Sequence, residues 1–77
     1  MNEKMRQLAG ATWEFAKGMG FDKHPVTLGF YPLPHLETET ERDDYIAALI
    51  AEGRPKGFGI EVLTNTSSEL RIIFKKE

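Results

Sequence analysis

Six carboxylates fall between residues 37 and 52, five of them inside ETETERDD (37–44) and the sixth at Glu52. Such a group invites general acid–base chemistry or a hard cation. Acid–base work needs carboxylates held across a pocket in unlike environments, whereas these are chain neighbours. A calcium loop needs alternating oxygen ligands, a glycine at the bend and a closing glutamate; here Gly53 comes too late. Local structure explains the group better. Thr38 followed three residues later by Glu41 is a capping box, and Thr40 with Asp43 repeats it in a shifted register. Glu39, Glu41, Asp43 and Asp44 then fall in the first turns of a helix, where each carboxylate gains roughly 0.3 to 1 kcal/mol against unpaired amides.

The other reactive residue types are sparse. His24 and His35, with Asp22 or Glu37 nearby, are the only nitrogen ligands for zinc, and there is no cysteine and no HExxH. Ser67 and Ser68 lie in a polar turn without a GxSxG elbow. The glycines of EGRPKGFGIE fit neither GxxxxGK[ST] nor a dinucleotide fingerprint. No catalytic, cofactor or metal site is expected, and the chain reads as non-enzymatic with no small-molecule substrate evident. The absence of cysteine also removes disulfides and thiol nucleophiles.

Charge distribution bears on nucleic acid. The net charge is formally -2, with residues 37–52 as the negative pole. Residues 54–77 carry five basic side chains, of which Arg54, Lys56, Lys75 and Lys76 converge if the C-terminal segment is a hairpin. Helices followed by a hairpin resemble a winged-helix arrangement that touches phosphate with the root of the hairpin. Against this, the second helix is acidic and has Arg42 as its one basic residue, so as a recognition helix it would repel the backbone. Nucleic acid is therefore the secondary expectation. An acidic mimic of phosphate is a further, weaker one.

The elements that must position these residues follow from periodicity. Met5, Leu8, Ala9, Thr12, Trp13, Ala16 and Met19 recur at spacings of three and four, predicting a helix over residues 3–19 with Phe15 at one margin. Asn2 is a candidate cap, and Gly18 and Gly20 end the helix. Both Trp13 and Phe15 are expected in the core. Gly10, costly inside a helix, suggests a close approach by another element. Residues 26–31 read as a short edge strand after Pro25, and YPLPHL as extended backbone. The second helix buries Tyr45, Ile46, Leu49 and Ile50 and stops at Gly53 and Pro55.

Residues 58–63 and 70–75 alternate as two strands. Pairing Ile60 with Ile72 sets Phe58 against Phe74, Val62 against Leu70 and Glu61 against Arg71, leaving Asn65, Thr66 and Ser67 as the turn. In that register Lys75 lies near Gly57.

The expected architecture is a single α+β domain over residues 1–77. Two helices pack on a small antiparallel sheet of two or three strands, in the order α-(β)-α-β-β. At 77 residues the chain hides only about 60 to 65% of its unfolded surface, so a second core is excluded and association would add stability. The N-terminal stretch lacks the apolar run of a signal peptide, and no run approaches the roughly 20 residues that span a bilayer. A cytoplasmic, non-membrane protein is expected. By elimination its expected role is a protein-interaction or regulatory domain that binds another protein or self-associates as a dimer. Its candidate contact residues are Phe30, Tyr31, Leu33 and Leu36 beside the acidic helix start, and Leu63 and Ile73 on the outer face of the hairpin.

Overall fold

The structure, a computed structural model, describes residues 3–31 and 36–77. The elements run α1 (Glu3–Gly18), β1 (Val26–Phe30), α2 (Glu39–Gly53), a 3-10 turn (Arg54–Lys56), β2 (Phe58–Asn65) and β3 (Leu70–Lys76). This is the expected α+β order with the third strand present. The Asn2 cap and the YPLPHL backbone lie wholly or largely outside the described residues.

β3 is the central strand, in the order β1-β3-β2, and pairs antiparallel with both neighbours. β1 and β2 therefore run parallel to each other, connected through α2. Both helices cover one face of the sheet. The inward set is Val26 and Leu28 from β1 with Leu70, Ile72 and Phe74 from β3. It meets Met5, Ala9, Trp13 and Ala16 of α1 and Tyr45, Ala48 and Leu49 of α2.

The hairpin differs from the expected pairing by two residues. Ile60 opposes Phe74, Val62 opposes Ile72 and Glu61 opposes Ile73, so the Glu61–Arg71 pair does not form. Gly59, not Gly57, faces Lys75. The parity argument holds because a shift of two keeps every side chain on its own face. The shift is accommodated by an irregularity between Val62 and Thr64, after which Thr64 faces Arg71 and Asn65 faces Leu70. An extra residue on one strand realigns the ladder without disturbing the alternation before it. The turn consequently spans residues 66–69. Thr66 closes it, its N–H donating to the Glu69 carbonyl at 2.9 Å and its Oγ1 accepting from the Ser68 and Glu69 amides.

Helix ends follow local chemistry. Thr38 is the N-cap of α2, with Thr38 Oγ1 accepting from the Glu41 amide at 3.1 Å and Glu41 Oε1 accepting from the Thr38 amide at 3.2 Å. The shifted Thr40 cap is not used. At the end of α1 the Phe21 amide donates to Ala16 and the Gly20 amide to Lys17, with Gly20 at φ 85°. That is a Schellman motif, and it needs glycine because other residues resist positive φ. It also turns Phe21 back onto Trp13, with ring centroids 5.2 Å apart.

Three packing expectations are corrected. Phe15 and Met19 are exposed, since they lie off the stripe centred on Ala9, Thr12, Trp13 and Ala16. Ile50 is also exposed, and Ala48 takes its place in the core, because small residues let α2 approach α1 closely. A close approach to glycine exists at Gly53 instead of Gly10: a Cβ on Gly10 would meet nothing within 4 Å, while one on Gly53 would lie 2.5 Å from Trp13 Cζ2. Gly53 itself stays helical, and the chain leaves that conformation at Gly57, φ 77°.

Candidate functional site

The two helices are joined at their centre by side-chain hydrogen bonds. Thr12 Oγ1 donates to the Leu8 carbonyl at 2.8 Å and lies 2.5 Å from the Tyr45 hydroxyl. A carbonyl only accepts, so the Thr12 proton points to Leu8 and Tyr45 is the donor to Thr12. One residue on, Trp13 Nε1 donates to the Leu49 carbonyl at 2.9 Å. Burial pushes the Tyr45 hydroxyl up from 10.0 to about 12. Thr12 offsets part of this, since it can turn its proton to the phenolate once that forms. The group is sealed in the core and holds structure.

Arg42 is the residue whose position sequence reasoning missed. It is only 7% exposed, although α2 offers it water on its outer side. Its Nε donates to Asn65 Oδ1 at 2.7 Å, and its Nη1 donates to the Leu36 and Glu37 carbonyls at 3.3 and 3.1 Å. One guanidinium thus ties the chain entering α2 to the start of the hairpin turn. The planar fork of arginine suits several carbonyl acceptors at once. A hint was present in the sequence: Arg42 is the lone cation in an acidic segment, and a helix side chain three positions from Tyr45 and seven from Leu49 shares the face of those core residues. With Arg42 turned inward, the exposed side of α2 carries Glu39, Asp43 and Asp44 and no cation. That removes the one basic contact a recognition helix would have had.

The candidate contact residues separate into two groups. Leu36 is 4% exposed and belongs to the core, and Phe30 packs edge-on against Tyr45 with centroids 5.8 Å apart. Leu36 serves the domain's own interior, which corrects its assignment to an outward surface, while Phe30 is half-buried. Leu33 and His35 lie outside the described residues. Tyr31 is 69% exposed and Leu63 49%. Ile73 is half-buried in the middle of the uncovered sheet face, between Thr27 on β1 and Glu61 on β2.

The basic residues lie around the root of the hairpin, where Lys76 pairs with Phe58 just after the Arg54–Lys56 turn. Arg54 lines a cavity with Ile50, Phe58 and Glu77, whereas Lys75 and Lys76 line another with Asp22, Lys23, His24 and the same Glu77. Glu77 is held there by its amide donating to the Gly57 carbonyl. A carboxylate between the cations lowers the potential any phosphate would feel.

Another surface emerges beside β1, which has a strand neighbour on one side only among the described residues. Along its free edge runs an open groove of about 360 Å³, lined by Ala11, Thr12, Phe15, Leu28, Gly29 and Phe30. Phe15, 62% exposed, stands on its rim. Among the described residues there is no group of three or more metal-ligating side chains, and no helix long and apolar enough to cross a membrane. Searches against protein-family models, curated proteins and solved structures find no significant match to this chain.

Proposed function

We propose that this chain is a small protein-interaction module, regulatory in role and self-associating. The observation that carries the reading is the uncovered face of the sheet. Both helices lie on the opposite face, yet Ile73 occupies the centre of the open one, with Leu63 on the neighbouring strand and Tyr31 just beyond β1. Thr27, Glu61, Arg71 and Lys75 make the rest of this face polar, as a solvated sheet face requires, and the apolar side chains among them form a small patch that favours a covering partner.

Sedimentation of the intact chain across concentration, with co-precipitation against a defined partner, tests the reading. Association that falls when Tyr31 or Leu63 is replaced by glutamate supports it; a strict monomer that captures nothing defeats it. Adding a generic duplex at low salt separates this from backbone binding, which would weaken when Lys56 and Lys75 are neutralised.

A further inference from the structure

We propose that a second copy of this chain docks on the free edge of β1, the two β1 strands pairing antiparallel about a two-fold axis at Leu28. This rests on the self-association in the reading above, but places it at the edge of the sheet and leaves the uncovered face open. The two sheets then join into one of six strands, with all four helices on the same side.

The two edges of the sheet are unlike. The β2 edge carries exposed Glu61 and is interrupted between Val62 and Thr64. A charge and a bulge are devices by which proteins keep an edge strand from pairing. β1, VTLGF, has neither: it contains no ionisable side chain and keeps an unbroken register with β3 from Val26 to Phe30. Among the described residues its edge therefore offers alternate amides and carbonyls with no charge on the strand itself to repel another.

The chemistry of β1 fits itself. With Leu28 opposite its counterpart, Thr27 faces the other copy's Gly29, and Val26 faces its Phe30. Residues 26, 28 and 30 of both copies stay on the helix-covered side, as the period of two requires. Thr27 opposite glycine leaves the outer face uncrowded, and no atom lies within 4 Å of where a Gly29 Cβ would be. On the helix side, the groove bordered by Ala11 and Phe15 opens on the same edge. The two-fold brings both Phe15 rings to the seam, each copy supplying a ring and a groove. A peptide of another sequence would gain the backbone bonds but would leave Phe15 and the groove without their counterparts.

Area sets the strength. A buried aromatic side chain covers on the order of 150 to 250 Å², so two partly covered Phe15 rings and two short strand edges reach at most the lower part of the roughly 1,200 to 2,000 Å² typical of stable complexes. The dimer is accordingly concentration-dependent.

Sedimentation equilibrium of the intact chain and three variants is the test. In T27K/G29K each lysine opposes a lysine of the other copy; in T27K/G29E each lysine opposes a glutamate. Wild type is expected to dimerise, T27K/G29K to dissociate roughly tenfold or more readily, and T27K/G29E to recover the dimer. Phe15→Glu, at an exposed position, gives the same weakening should a doubly substituted strand fail to fold. A wild-type monomer at all concentrations overturns the proposal, and so does a dimer that ignores Phe15→Glu and both β1 pairs. Should that dimer instead yield to Leu63→Glu, or should a monomer capture a defined protein through Leu63, the interaction reading survives while the β1 dimer does not.

Discussion

Trp13 lies directly over Gly53, close enough that the indole occupies the space a side chain on that glycine would need. The same indole is bonded to Leu49 and meets Phe21, Phe58 and Phe74 with ring centroids 5.0 to 5.7 Å away. Trp13 is thus the point where α1, α2 and the sheet converge. Gly53→Ala gains helix propensity of about 1 kcal/mol but drives Cβ into a ring that is fixed on every side. Overpacking of this kind costs about 1 to 3 kcal/mol, so a lower midpoint in chemical denaturation is expected. Gly10→Ala is the matched control. It meets open space and should stabilise by about 0.5 to 1 kcal/mol.

Tyr45 makes stability depend on alkaline pH. Its folded-state value, about 12, stands above the ordinary 10.0, so the unfolded chain loses this proton first. The associated stability is whole below pH 10 and is lost as pH rises towards 12. Two pH units of separation correspond to roughly 2 to 3 kcal/mol. Urea titrations at successive pH values should show that decline, and Tyr45→Phe should remove most of it relative to the parent.

Arg42 is expected to behave as a structural residue despite its charge. Arg42→Ala strips hydrogen bonds from Asn65 and from the Leu36 and Glu37 carbonyls, at a cost of about 2 to 4 kcal/mol. Faster amide exchange at residues 65–70 would accompany the loss of stability. A neutral result on both counts would show that water replaces the guanidinium without penalty.

Local features were legible in the sequence, and features set by two distant elements were not. The Thr38–Glu41 box and the glycine-terminated α1 depend on neighbours within one turn, so their residue types announce them. The alternation in β2 and β3 likewise placed Ile72 and Phe74 inward. The register moved by two because the turn closes over residues 66–69 and an irregularity follows Val62, and neither has a residue type of its own. Phe15 was misplaced because it stands a quarter-turn from the stripe through Thr12 and Ala16, where hydrophobicity alone cannot separate core from margin. Gly10 and Gly53 look alike in sequence; only the position of Trp13 tells them apart. Leu36 reads as part of an outward arm because its burial depends on Arg42, whose guanidinium holds the Leu36 carbonyl from the next helix.

Surface substitutions should dissect association from folding. Tyr31→Glu and Leu63→Glu change exposed positions and are expected to shift stability by no more than about 0.5 kcal/mol. Any loss of association they cause, read by sedimentation beside a thermal melt, is then a surface effect.

The most direct measurement is amide hydrogen exchange of the intact chain, followed from dilute to concentrated solution. If the module associates through β1, the amides of residues 26–30 that point to the free edge slow as concentration rises, and the β2 edge at residues 58–65 is unchanged. Exchange rates at residues 26–30 that stay the same at every concentration would contradict association through β1.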